Sequence, residues 1–274
     1  MALYGVLGDI HGNREALEAA LAALDARGVE CVLCVGDLVG YNADPDACVE
    51  LLRRRGAVSI AGNHDLIGTG RLGFERCSNK AMHSLKRTRR WLSPEVADYL
   101  RALPSHHLIE GDVLLTHGGV RDVQQYMTRP RHVLENAAYL RHDFPQARIC
   151  FFGHTHEQRV FEVSGPTDAP EVSEPFAAGL AKGEPLAATL RRDRVYFINP
   201  GSVDASRKRT SKLAEFAIFD AEARSVEFGR VAYDEGATEA KAAANGFRID
   251  RWRDRLYDVQ RRIIGPRHQE QETA

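Results

Sequence analysis

The sequence predicts an α/β fold with two packed sheets, and three observations carry that expectation. Short apolar runs alternate with helical stretches from Leu3 to Phe152. Several of those runs end in short polar blocks in which glycine stands beside Asp, Asn or His. Three further strand-like runs follow late in the chain, enough for a second sheet against the first.

Leu3–Leu7 reads as the opening strand. Asn13–Arg27 carries Ala16, Leu17, Ala20, Leu21 and Leu24 at helical spacing, and Gly28 stops it. Cys31–Val35 is the second strand, Asp46–Arg54 a helix and Ala57–Ala61 the third strand. Leu72–Leu103 reads as two helices, the second with Ser93 as N-cap, Pro94 at its first position and Pro104 beyond its end. Val113–Thr116 and Ile149–Phe152 are strands separated by a helix near His132–His142. The segment 164–190 is dense in Pro and Gly and predicts an irregular insertion or lid. Strands resume at Val195–Ile198, Ala214–Phe219 and Val226–Val231, which completes a domain over residues 1–234. Two helices within 235–267 are expected to pack on that domain, and the polar tail 268–274 to be disordered. Trp252, Leu256, Val259 and Ile263 share one face of the last helix. That stripe is expected to pack on the body, with a contact between two copies of the chain as the second reading.

With 274 residues the chain can bury a full core, at the upper end of what one domain holds. A formal net charge of −1 gives no overall field towards nucleic acid or membrane. No stretch is long and apolar enough for a membrane span, and the N-terminus lacks a basic segment and cleavage site, so a cytoplasmic location is expected. The five cysteines fit that expectation as reduced thiols. Cys31 and Cys34 form a C-x-x-C, but on a strand residues three apart point to opposite faces and cannot grip one ion.

Five polar blocks carry the chemistry: Gly8-Asp9-Ile10-His11, Gly36-Asp37, Gly62-Asn63-His64-Asp65, Thr116-His117-Gly118-Gly119 and Gly153-His154-Thr155-His156. Four of them directly follow an apparent strand, and in open α/β sheets ligands bind beyond the carboxyl ends of strands. Asp9 and His11 stand two apart in an extended segment, so their side chains share a side; His154 and His156 repeat the pattern. Asn63 and His64 are adjacent and diverge, one towards metal and the other towards substrate. Asp37 has two oxygens with which to bridge a pair of ions. Site one is then Asp9, His11, Asp37 and His156, and site two Asp37, Asn63, His117 and His154. Two divalent ions and two aspartates leave a charge of about +2 for a hydroxide and an anionic phosphate ester. Paired metals roughly 3.5–4 Å apart lower the pKa of a shared water, and His64 would protonate the leaving group. Asp65 either orients His64 or caps the following turn. Nitrogen and oxygen donors without sulfur favour Mn, Fe, Zn, Co or Ni over copper(I) or an iron–sulfur cluster without choosing among them; manganese is taken as the first candidate.

The blocks GDIHGN, GDLVGYNADP, AGNHD, THGG and GHTH, in this order, resemble the calcineurin-like metallophosphoesterase superfamily. GDLVGYNADP, INPGSVDASR, AIFD and RVAYD are similar to its bacterial and archaeal phosphodiesterase-like branch. The resemblance covers roughly Leu3 to Asp234 and implies a four-layer α-β-β-α sandwich with a dimetal centre at one edge. It carries over the seven ligands and His64 position by position. Two departures bear on substrate. The Asp-Arg pair of protein phosphatases and dinucleoside tetraphosphate hydrolases is replaced by Gly40 and Tyr41, which weakens both readings. After NPGSV the branch's Gly-Gln-Pro-Arg appears as Asp204-Ala205-Ser206-Arg207, so Arg207 is a candidate phosphate contact.

A lone His is more often structural than a ligand, and His83, His106, His107, His132, His142 and His268 take that reading. Five of the eleven histidines, however, fall inside the five blocks, which core packing does not account for. The basic run Lys86–Arg90 reads as the wet side of a helix, and Arg207–Arg209 as a loop with no aromatic residues for base stacking. The sequence thus predicts a dimetal hydrolase of small phosphodiesters or nucleotide-type esters. The alternatives are a Ser/Thr phosphoprotein phosphatase, a dinucleoside polyphosphate hydrolase, and a non-catalytic interaction scaffold such as the retromer subunit of the same fold. Retention of His64 and all seven ligands favours the enzyme.

Overall fold

The computed structural model describes residues 3–109, 111–182, 186–205 and 212–264. The chain opens with β1 (Leu3–Leu7), α1 (Arg14–Ala26), β2 (Cys31–Cys34), α2 (Pro45–Arg54) and β3 (Val58–Ser59). Helices α3 (Asn63–Gly68), α4 (Asn79–Trp91) and α5 (Pro94–Ala102) follow. Next come β4 (His107–Ile109), β5 (Val113–Leu115), α6 (Pro130–Asp143), β6 (Ile149–Phe151), β7 (Gln158–Ser164), β8 (Glu171–Ser173), α7 (Ala177–Lys182) and β9 (Leu186–Thr189). The last elements are β10 (Val195–Pro200), β11 (Leu213–Asp220), β12 (Ser225–Ala232), α8 (Glu235–Ala244) and α9 (Arg251–Ile264).

These strands form two six-stranded sheets, in the orders β3-β2-β1-β11-β12-β9 and β4-β5-β6-β10-β7-β8. In each, parallel pairs bring the carboxyl ends of successive strands to the same edge: β1 with β2 and β2 with β3, then β5 with β6 and β6 with β10. Alternation along the strands sorts the apolar side chains into layers. Val6, Leu33, Leu115, Phe151, Ile198 and Phe219 meet between the sheets. Leu7, Val32 and Cys34 turn the other way, onto Leu17 and Leu24 of α1 and Leu52 of α2. On the second sheet Leu114, Cys150 and Phe197 face Val133, Ala137 and Leu140 of α6. The expected sandwich of two sheets flanked by helices is therefore present. Each fully buried Leu or Phe contributes about 1.5–3 kcal/mol, and both faces of the central strands are used. Cys31 packs between the sheets and Cys34 beneath α1, so the C-x-x-C divides as its spacing predicts.

Three expectations are corrected. The late strands do not make a sheet of their own: β10 enters the middle of the second sheet, while β11 and β12 extend the first from β1. Their hydrophobic runs announce strands but not partners, which are set by packing remote in sequence. The segment 164–190 is not wholly irregular. It supplies β8 and β9, one edge strand of each sheet, with α7 between them in sequence. Finally, the apolar stripe of α9 does not pack on the body. Trp252, Leu256 and Val259 are 61, 45 and 50% exposed. The helix instead docks on α4 through polar contacts, with Asn79 Nδ2 donating to Asp254 and Asp258, and through the Lys86 ammonium 4.8 Å from the Tyr257 ring. The tail 268–274 lies outside the described residues. Among the described residues no helix is long and apolar enough to cross a membrane.

Candidate metal centre

All five polar blocks lie at one edge of the sandwich because each follows the carboxyl end of a strand. Asp9 follows β1, Asp37 follows β2, and Asn63 opens α3 after β3. His117 follows β5, and His154 and His156 follow β6, so the two sheets face each other across the site. Backbone hydrogen bonds knit the loops: Asp9 N donates to Gly36 O (3.0 Å), and Ile10 N and His11 N both donate to Asp37 O (2.9 Å). Gly153 N donates to His117 O at 2.7 Å. The second and third loops approach so closely that a Cβ on Gly62 would stand 2.2 Å from Asp37 Oδ1, so only glycine fits there.

The side chains converge, but not through the extended backbone expected from the two-residue spacing: Asp9, His11, His154 and His156 all have a left-handed φ, between 53° and 67°. One donor group joins Asp9, His11 and His156, and another joins Asp37, His117 and His154, all within 4.8 Å of one another in each group. A third, His11, Asp37 and His64, shares Asp37 with the second. His156 Nε2 is 3.4 Å from Asp9 Oδ1 and 3.2 Å from His11 Nε2. Asp37 Oδ2 lies 3.3 Å from His117 Nε2 and 3.7 Å from His11 Nε2, between the two clusters. Asn63 Oδ1 is 3.1 Å from His117 Nε2. Two rings are aimed from behind. His117 Nδ1 donates to Val35 O (2.7 Å) and His11 Nδ1 to Val39 O (3.2 Å), which leaves each Nε2 directed inward. These nitrogens and oxygens, deeply buried and crowded together, are a donor set suited to hard or borderline divalent cations.

Charge accounts for the perturbed titrations. Burial opposes ionisation of Asp37, but the neighbouring His117, His64 and His11 outweigh it and hold its carboxyl well below the usual range. Burial likewise opposes a charged His117, yet the Asp37 carboxylate overcomes this and lifts the imidazole to about 9. Asp65 is pushed up to about 7 by burial and by the Asp37 charge, against its backbone donors. Those donors resolve its role. Its carboxylate accepts from Gly62 N, Asp37 N and Leu38 N at 2.9 Å and from Val39 N at 3.2 Å. Asp65 thus closes the turn into α3 and ties the second block to the third, and among the described residues no hydrogen bond runs from its carboxylate to His64.

His64 sits at the inner wall, its ring centroid 4.6 Å from that of His11 and 4.7 Å from that of Tyr41. Its peptide N–H donates to Asp37 Oδ1 at 2.7 Å. Gly40 passes so close that a Cβ there would lie 2.3 Å from His64 Nδ1, so no larger residue fits in this arrangement. Arg248 holds the neighbouring turn by donating to Tyr41 O (2.8 Å) and Asn42 Oδ1 (3.0 Å). Sequence reading did not find Arg248, nor Tyr126, whose ring lies 4.1 Å from that of His154 and is 38% exposed. Neither stands in a polar block, and only the tertiary fold brings them to the site. The NPGSV segment does have a local signal. Val203 N, Asp204 N and Ser202 Oγ donate at 3.0 Å to the carbonyls of Gly8, Asp9 and Asp9, so it braces the first block. Arg207 and the rest of the run to Arg209 lie outside the described residues.

Residues 3–158 match the family model of the calcineurin-like phosphoesterase. The chain belongs to that family. A crystal structure of a metallophosphoesterase from Sphaerobacter thermophilus is 30% identical, with a TM-score of 0.69 over 93% of this chain and 97% of that one. An uncharacterized protein of Methanocaldococcus jannaschii is 29% identical over 92% of this chain and 95% of its own length. A hypothetical protein from Pyrococcus horikoshii, 20% identical with a TM-score of 0.66, covers 93% of this chain and 97% of its own and shares the fold. This calcineurin-like phosphoesterase is thus matched along nearly its whole length by bacterial and archaeal proteins.

Proposed function

We propose that the chain hydrolyses phosphate esters, foremost a small phosphodiester or nucleotide-type ester, at a pair of divalent transition-metal ions. Asp9, His11, Asp37 and His156 would hold one ion, and Asp37, Asn63, His117 and His154 the other. The observation that carries this reading is the position of Asp37, whose Oδ2 lies 3.3 Å from His117 and 3.7 Å from His11, within reach of both sets of donors. Nitrogen and oxygen donors of this kind accommodate manganese, iron, zinc, cobalt and nickel alike, and manganese is the first candidate to load. Two bound cations would supply a nucleophile from water at neutral pH and positive charge against the phosphoryl oxygens.

The chain's own residues supply the rest. Asp9 and Asp37 offset part of the metal charge and leave about +2 to attract an anionic ester. His64 would donate a proton to the leaving alkoxide, its backbone anchored to Asp37 Oδ1 at 2.7 Å. Tyr41 and Tyr126 offer aromatic faces beside His64 and His154, which favours an ester with a planar organic group over a bare phosphate. The buried floor limits the water that competes for these groups.

The test is His64→Ala, assayed for metal content and turnover together. Two ions per chain should remain, while kcat falls roughly 10²–10⁴-fold. Unchanged turnover would remove His64 as the acid. A panel of chromogenic diesters and monoesters, run on protein loaded with each candidate metal, tests the substrate; a large monoester preference would count against the diester reading.

A further inference from the structure

A cavity opens at the end of the sandwich opposite the metal centre. It has a volume of about 270 Å³ and is lined by Tyr4 and Val113, which start β1 and β5, and by Phe219 at the end of β11. The metal loops follow the other ends of β1 and β5. At about 3.3 Å per residue, the cavity is some 15 Å from them.

Two arginines face this space. Arg224, in the turn between β11 and β12, is only 7% exposed. Its Nη1 donates to Asp112 Oδ2 at 2.6 Å, but its Nε and Nη2 are buried and have no hydrogen-bond partner among the described residues. Those two N–H groups lie on one edge of the guanidinium and point the same way, the fork that grips both oxygens of a carboxylate or phosphate. Leaving such donors buried and unmatched is costly, so the site calls for an acceptor. Arg192 lines the same cavity. With Asp112 the three charges sum to about +1, which suits an anion. The remaining wall is aromatic and aliphatic, so it suits an apolar body attached to that anion.

We propose that this cavity binds a small organic anion, its acid group held by Nε and Nη2 of Arg224 together with Arg192 and its apolar part against Tyr4 and Phe219. The site is separate from the metal centre and owes nothing to the reading of that centre as catalytic.

Titration calorimetry on the full-length, metal-loaded protein tests this, with benzoate as probe and benzamide as its uncharged counterpart. Benzoate should bind at one site, and benzamide at least about tenfold more weakly. Arg192→Ala, at an exposed position, should weaken benzoate about tenfold, and Ala221→Leu, which fills the cavity, should abolish binding. Asp37→Asn should leave benzoate binding unchanged. No benzoate binding up to about 10 mM would overturn the proposal. So would binding that survives both cavity variants, or that is lost in Asp37→Asn.

Discussion

Asp65 offers the sharpest test of how the metal loops are held. Its carboxylate accepts from four backbone donors, at Gly62, Asp37, Leu38 and Val39, and is fully buried. Asp65→Asn keeps the shape but replaces one oxygen with a donor. Oδ1 serves Leu38 and Val39 while Oδ2 serves Asp37 and Gly62, so either amide orientation sets an NH₂ against two N–H groups. Each buried donor left unmatched costs about 1–3 kcal/mol. Two of them give about 2–6 kcal/mol. Relief of a carboxylate that burial and Asp37 already push up to about 7 offsets part of this. The expected net loss is therefore about 2–4 kcal/mol, with weaker metal retention because Asp37 is no longer fixed. Urea unfolding of the metal-free protein measures the first, and metal content after dialysis the second. If Asp65→Asn unfolded within about 0.5 kcal/mol of the parent and kept its metal, yet lost turnover, the carboxylate would be acting on His64 and this account would fail.

Two further outcomes follow from the same loops. Gly40→Ala should lower kcat while leaving metal content unchanged, because the new Cβ would fall 2.3 Å from His64 Nδ1 and the residue's φ is +101. The strain should also cost about 1–3 kcal/mol, and unaltered turnover would mean that His64 is free to move without consequence. Metal uptake should release protons. The metal-free His117 is lifted to about 9 by Asp37 and must lose its proton to ligate, so apparent affinity should fall towards tenfold per pH unit below about 9. Proton release on metal addition in weakly buffered solution checks this; absence of release at pH 7 would contradict the charged imidazole.

Much of the site was legible in the sequence because its determinants are local. Gly8-Asp9-Ile10-His11 and Gly153-His154-Thr155-His156 each end an apolar strand, and strand ends in such sheets converge. The helices were legible for similar reasons: Asn13 accepts from Ala16 N and Ser93 from Val96 N, as their cap positions predict. What stayed hidden depends on partners far along the chain. The Val195–Ile198 run reads as a strand, but nothing local says that Phe197 will pair beside Cys150 and Phe161. The Pro and Gly of 164–190 mask the signal of the two short edge strands they flank. Periodicity defines the α9 stripe, but Asn79, Asp254 and Asp258 decide which side docks.

Backbone conformation ties the two ends of the molecule together. Among the described residues, seven that are not glycine have a positive φ: Asp9, His11, Asp37, Tyr41, His154, His156 and Arg224. A left-handed conformation costs such a residue about 1–2 kcal/mol, and glycine or asparagine would fill most of these turns with less strain. Five of the seven are proposed metal ligands, and Tyr41 stands against His64. At those positions the strain turns side chains from separate loops towards one point, which a relaxed backbone at the strand ends would not do. The seventh lies in a hairpin turn at the far end of the sandwich, where no metal loop needs it. There the same cost places a guanidinium under the sheets with two donors unmatched among the described residues. Replacing Arg224 by glycine would relieve the backbone and remove that fork.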